Sequence, residues 1–240
     1  MKNPIGPYPG RQLFLGLTKN EKPALAYLVT GRSPQSRERK ATTKENSIIM
    51  GPIGSAPYDP LRHYTAVNYD NSTGLMVVSN GIQTETIFEM YKLLYNVKSA
   101  PAGGYLKKIM DGANYEPDSL KTPRIAGVIT NSSDKNKPVY IVSIKIADKP
   151  AFVWQVKPQP GAFIGVATYY GNMDKPGPFK TDKGPAELKF NAVTPQEIAD
   201  FIYEISTATH QGDDIRVCAI GGVRETDNTW KLSFINRHKG

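Results

Sequence analysis

Glu116 and Arg124 bracket a polar stretch, Tyr115-Glu116-Pro117-Asp118-Ser119-Leu120-Lys121-Thr122-Pro123-Arg124, that runs directly into the apolar segment 125–129. A carboxylate can take and return a proton, and a guanidinium can donate paired hydrogen bonds to an anion or to an oxygen gaining charge. Pro117 and Pro123 fix their own φ and bias the preceding residue away from helix, so the stretch is expected to hold its charged groups in place. Arg11, Arg32, Arg37 and Arg39 also fall in polar segments, and between Gly31 and Lys44 five basic residues meet a single acidic one among Gly, Ser and Pro. Arginines gathered from separate loops suit a phosphate. They equally suit a solvated basic face, just as the stretch around Glu116 suits an ordinary salt-bridged turn, and residue types alone leave these readings open.

Other chemistries have little support. His63, His210 and His238 lie far apart without metal-ligand spacing, and a lone cysteine, Cys218, can build neither a thiolate cage nor an internal disulfide. Neither the P-loop nor the dinucleotide-binding glycine pattern is present. His63 beside Arg62 reads as a solvated loop residue, Cys218 as strand packing, and Tyr27, Tyr140, Trp154 and Phe163 as core aromatics. The chain has 240 residues, 39% of them hydrophobic, enough for one domain spanning 1–240. Its net charge of +8 is shared evenly between the two halves and favours anionic partners without locating a site. No apolar run has transmembrane length and the first residues lack a secretory apolar stretch, so a cytoplasmic location is expected, with no membrane partner.

The elements that would position these residues follow from periodicity. Strands are expected over 13–17 and 24–30, joined by a turn at 19–23, and a positively charged loop over 31–44. A short strand follows at 47–50, then a hairpin of 64–69 with 75–78. The spacing of Ile87, Met90, Tyr91 and Leu94 predicts an amphipathic helix, and Pro101 opens a shorter one carrying Tyr105, Leu106, Ile109 and Met110. Strands are expected at 124–129, 139–146, 152–156 and 163–169, then a long surface loop over 170–185. Thr194-Pro195-Gln196-Glu197 is a capping box, with Ile198, Phe201, Ile202 and Ile205 as the buried stripe. Strands at 215–220 and 230–235 close the chain. Roughly ten strands and three helices without βαβ alternation argue for largely antiparallel sheets covered by helices, an α+β fold. Residues 1–10 read as an irregular N-terminal arm.

Taken together, Tyr8-Pro9-Gly10-Arg11, Ala26-Tyr27 leading to Arg32-Ser33 and Arg37, Val77-Val78-Ser79-Asn80-Gly81 with Thr84-Glu85-Thr86-Ile87, and Tyr115-Glu116 with Thr122-Pro123-Arg124-Ile125-Ala126 resemble the archaeal-type inosine monophosphate (IMP) cyclohydrolase family. The blocks keep family order over about residues 8–130, and the C-terminal half is assigned by continuity. The resemblance implies a four-layer αββα sandwich of two mainly antiparallel sheets, like that of the N-terminal nucleophile hydrolases but without the N-terminal nucleophile. It implies ring closure of 5-formamidoimidazole-4-carboxamide ribonucleotide to IMP with loss of water, the last step of purine biosynthesis, with no metal and no cofactor. The partner is a small purine ribonucleotide rather than nucleic acid, and a homo-oligomer is compatible with it.

For such a reaction Glu116 is the expected proton relay, assisted by Tyr64 or Tyr69, and Arg124 the donor to the formyl oxygen, with Asn68 or Asn80 second. Arg32, Ser33 and Arg37 are the expected phosphate ligands, and Arg11, Gly81 and Thr84 complete the substrate-binding set. The family pattern carries a tyrosine where this chain has Val67, so a non-catalytic purine-nucleotide-binding protein on the same fold is the alternative. A nucleic-acid-binding protein, motivated by the charge and the 31–44 cluster, is a third reading.

Overall fold

Alternation of side chains across two sheets builds the molecule. The computed structural model describes residues 3–95, 102–132 and 137–238. The chain begins with β1 (Arg11–Leu17), β2 (Pro23–Thr30), the one-turn helix α1 (Pro34–Arg37), β3 (Arg39–Lys44), β4 (Ser47–Pro52), β5 (Tyr64–Asp70) and β6 (Leu75–Ser79). Helices α2 (Gln83–Leu94) and α3 (Ala102–Ala113) follow, then β7 (Arg124–Asn131), β8 (Pro138–Lys145), β9 (Phe152–Val156) and β10 (Ala162–Ala167). The remainder comprises β11 (Tyr169–Tyr170), β12 (Gly177–Pro178), β13 (Ala186–Lys189), α4 (Pro195–Glu204), β14 (Thr209–His210), β15 (Asp213–Asp214), β16 (Arg216–Arg224) and β17 (Trp230–Asn236).

Two large antiparallel sheets result: a six-stranded one in the order β13-β10-β1-β2-β16-β17, and a seven-stranded meander from β3 to β9. In β6, Met76 and Val78 pack between the sheets whereas Leu75 and Val77 pack beneath α2 and α3; in β7, Ile125 and Ile129 take the inner face and Ala126 and Val128 the outer. This is the period of two made visible, each strand feeding two cores. On β16, Cys218 faces Met50 of the other sheet, while Gly221 faces α4, where a Cβ would lie 2.0 Å from the Pro195 carbonyl oxygen. Glycine there lets the helix seat directly on the strand. Helix α4, the six-stranded sheet, the seven-stranded sheet and the pair α2 and α3 therefore lie in succession.

Helix α4 starts as its sequence predicts, with Thr194 and Glu197 closing a reciprocal capping box. The second predicted helix is α3; Pro101, its expected first residue, lies outside the described residues. Other expectations need correction. The charged segment 31–44 is not a loop throughout, because α1 and the edge strand β3 occupy most of it. Within 170–185 the hairpin of β11 and β12 forms and Phe179 is buried, and β13 follows as an edge strand with Leu188 its one buried residue. His63 is buried rather than solvated, its Nδ1 accepting the Asp59 backbone N–H at 2.8 Å. From Asn3 onward the N-terminal arm is docked: Ile5 and Tyr8 are buried, and the Asn3 side chain binds Gln12 and Ser206.

Candidate active site

The segments that carry the candidate residues meet at one end of the sandwich. Arg11 begins β1, Arg124 begins β7, Asn80 follows β6, and Glu116 lies in the connection from α3 to β7. That connection is shaped by Asp118 more than by its prolines. The Asp118 carboxylate accepts the Thr122 backbone N–H at 2.8 Å and its hydroxyl at 2.5 Å, and Lys121 adopts a left-handed φ of 49°. Across the loop base the Glu116 N–H donates to the Thr122 carbonyl at 2.8 Å. An Asx-type closure of this kind holds a loop by local hydrogen bonds.

Glu116 is 1% exposed, and every side-chain hydrogen bond it receives from the described residues falls on Oε1. The donors are Arg11 Nη2, Arg124 Nη1 at 3.1 Å and Asn80 Nδ2 at 3.1 Å. Oε2 accepts no hydrogen bond from the described residues. Asn80 is itself fixed, donating to the Pro123 carbonyl at 2.9 Å while its Oδ1 accepts from the Ile125 N–H at 2.8 Å and from Gln83 Nε2 at 3.2 Å. Gly81 makes room for the cluster, since a Cβ there would sit 2.0 Å from Arg124 Nη1.

Burial pushes the Glu116 carboxyl above its ordinary value, and the Arg11 and Arg124 charges oppose that push without cancelling it. Burial also lowers the Arg124 pKa against the pull of Glu116. Behind them the hydroxyls of Tyr27 and Tyr64 share a hydrogen bond of 2.9 Å. Burial, then the neighbouring Tyr64, raises the Tyr27 pKa, so the Tyr27 hydroxyl keeps its proton.

Glu116 and Arg11 form part of the lining of a cleft of about 520 Å³, together with Arg32, Ser33, Arg39, Arg62, Asp118 and Thr122. That volume lies within the range of about 300–1,000 Å³ typical of small-molecule sites. Tyr8 and Tyr169 complete one wall, stacked with ring centroids 5.6 Å apart, and Tyr169 is tied to Thr122 through its hydroxyl. Arg32 lies over the Tyr8 ring at 5.5 Å and donates to the Met173 and Asp174 carbonyls, clamping the hairpin of β11 and β12 to the cleft edge. No group of three or more His, Cys, Asp or Glu side chains among the described residues is placed to hold a metal ion. No helix among them is long and apolar enough to cross a membrane.

Residues 8–228 match the sequence pattern of the family described as IMP cyclohydrolase-like protein. The chain belongs to that family. It is similar to the protein named IMP cyclohydrolase of Methanocaldococcus jannaschii, 31% identical over 85% of this chain and 89% of that one. It also resembles the proteins of the same name from Thermococcus kodakarensis, 28% identical over 95% of this chain and 97% of the relative, and Natronomonas pharaonis, 29% identical over 88% and 92%. Membership extends the resemblance into the C-terminal half, which short motifs alone did not reach.

Of the residues singled out in the sequence, the structure gathers Glu116, Arg11, Arg124, Asn80 and Gly81 into one cluster and places Arg32 and Ser33 on the cleft. Arg124 stands behind Glu116 rather than on the cleft wall. Arg37 is turned away, bonded to Asp213 at 2.5 Å and to the Arg32 carbonyl at 2.6 Å. Thr84 closes the start of α2 on the Gly81 carbonyl at 2.9 Å, Asn68 pairs with Ser47, and Tyr69 packs against the core; none of these lines the cleft. Val67 is fully buried between the sheets, paired with Val78. Sequence reasoning missed Tyr8, Arg62, Asp118, Thr122 and Tyr169 as cleft residues; Tyr27 is core, as expected, with its hydroxyl on Tyr64. Proximity of Tyr8 to Arg11 and of Asp118 to Glu116 along the chain was the available signal. Nothing local marked Tyr169.

Proposed function

We propose that this chain is an IMP cyclohydrolase that closes 5-formamidoimidazole-4-carboxamide ribonucleotide to IMP, acting as a single domain in purine biosynthesis. Family membership over most of the chain supports the reaction class. The observation that carries the site is the asymmetry of Glu116: a buried, cleft-lining carboxylate with, among the described residues, three donors on one oxygen and none on the other. One oxygen is held and the other is free to exchange a proton.

The carboxamide nitrogen forms the new bond to the formyl carbon. Over the whole reaction one proton leaves that nitrogen and one leaves the formamido nitrogen, and both depart with the formyl oxygen as water. Nucleophile and electrophile share one molecule, so the protein's main task is to hold the reactive rotamer. Glu116 Oε2 takes the proton from the attacking nitrogen and returns one to the departing oxygen. Arg11, on the cleft wall, meets the charge that develops on the formyl oxygen, and Arg124 holds Glu116 from behind. Tyr64, bonded to Tyr27, supports Arg11 from the inner face. The layering is consistent with an N-terminal-nucleophile-hydrolase-like scaffold in which a carboxylate and guanidinium cluster at the head of β1 replaces the nucleophile.

Incubation of the purified protein with the formamido ribonucleotide is expected to give IMP well above the uncatalysed rate. Glu116→Gln keeps the shape of the side chain, and kcat is expected to fall about 10²- to 10⁴-fold, the scale of a lost general acid–base group. Unchanged kcat and KM in that variant would remove Glu116 from the mechanism. IMP binding without turnover by the wild-type protein would instead assign the chain to non-catalytic nucleotide binding.

A further inference from the structure

Among the described residues, the arginines around the cleft differ in what balances their charge. Arg11 lies on Glu116, Arg37 on Asp213 and Arg62 on Asp59. Arg32 is partly exposed and already engaged with the Met173 and Asp174 carbonyls and the face of Tyr8. Arg39 differs from all of these. It is 2% exposed, it donates from Nη1 to the Arg62 backbone carbonyl at 3.2 Å, and its Nε is buried with no partner. No carboxylate among the described residues forms an ion pair with it. Yet it lines the cleft.

The fold puts it there deliberately enough to need an explanation. Arg39 and Ala41 share the inner face of β3, and Ala41 joins the core between the sheets. The positive field of Arg39 reaches both His63 and Cys218 on neighbouring strands or loops. The carbonyl that holds its Nη1 belongs to a loop braced by Asp59, which bonds Leu61, Arg62 and His63 in turn. A guanidinium withdrawn from water without a counter-charge is costly, and the cost is recovered when a strongly charged acceptor arrives. A phosphate has the charge and the oxygens for the unpaired N–H groups.

We propose that Arg39 is the anchor for the phosphate of the nucleotide that occupies this cleft, the role expected from the sequence for Arg32, Ser33 and Arg37. The proposal rests on the reading of the cleft as a purine ribonucleotide site, and its test separates the two. Affinities of IMP, inosine and inorganic phosphate would be measured by calorimetry for wild type, Arg39→Gln and Arg39→Lys, with near-ultraviolet circular dichroism confirming native packing. Arg39→Gln is expected to weaken IMP and phosphate about 10- to 100-fold, the scale of a lost charge-assisted hydrogen bond, and to leave inosine unchanged. Arg39→Lys restores the charge but not the planar fork and is expected to recover part of the loss. Equal affinity of IMP and phosphate for wild type and Arg39→Gln would overturn the proposal, as would equal losses for IMP and inosine or a wild type that binds no phosphate. If wild type bound phosphate through Arg39 but neither IMP nor inosine, the anion site would stand and the purine reading would fail.

Discussion

At the scale of single residues, the decisive balance is between burial and positive charge at Glu116. Two guanidiniums and an amide converge on Oε1, which favours the carboxylate, while removal from water favours the neutral acid; burial is the larger effect and the pKa is raised. A base must be ionised to accept a proton. As pH falls through the raised value Glu116 becomes protonated and activity drops, so the acidic limb of a kcat/KM profile is expected above the ordinary glutamate value of about 4.3. A limb at or below that value would mean that Arg11 and Arg124 outweigh burial. The contact between Glu116 and Arg124, 3.1 Å from Oε1 to Nη1, was legible in the sequence because a carboxylate, two prolines and an arginine crowd one short stretch. Its supports were not. The Asn80 side chain is held by three hydrogen bonds to residues about forty positions away, and Arg37, equally basic on paper, turns to Asp213 because the single turn of α1 points it there.

At the scale of elements, long periodic segments were readable and short edge elements were not. The sequence Arg39-Lys40-Ala41-Thr42-Thr43-Lys44 offers only Ala41 as an apolar signal, and a charged, polar edge strand looks like a loop until its partner β4 is known. Strand β5 hides a subtler feature. The register against β4 shifts between Ile48 and Ile49, so that Ala66 is the extra residue of a bulge. Because a one-residue slip exchanges the two faces of a strand, the bulge puts Tyr64 on the same inner face as Val67 and Tyr69, where it meets Tyr27. Strict alternation through 64–69 would have sent Tyr64 outward to α2. Helix α4 was legible because its start signal is local. Thr194→Ala removes the acceptor for the Glu197 N–H, bonded at 3.2 Å, and is expected to cost about 1 kcal/mol, or roughly 2–4 °C in Tm for a chain of this size. Helix α4 covers the outer face of the six-stranded sheet, so kcat is expected to be unchanged; a thermal melt and one activity assay check both halves of the statement.

At the scale of the whole molecule, the two sheets can be tested as one closed unit through Cys218. The sequence places this residue mid-strand as packing, and the structure seals it between the sheets with Sγ 3.5 Å from Met50 Sδ. Burial pushes its pKa up to about 12, and a thiol reacts as the thiolate, so the native protein should resist an aromatic disulfide reagent. Reaching Sγ requires β16 and β4 to part, an opening that also pulls Arg39, on β3 beside β4, away from the six-stranded sheet and dismantles the cleft between them. Labelling therefore reports sheet separation. A nucleotide that binds only the closed form lowers the open population by the factor 1 + [L]/Kd, so at one hundred times Kd the labelling rate is expected to fall about 100-fold where opening and closing are fast. Prompt labelling of the folded protein, or a rate indifferent to saturating IMP, would show that the sheets breathe independently of the cleft.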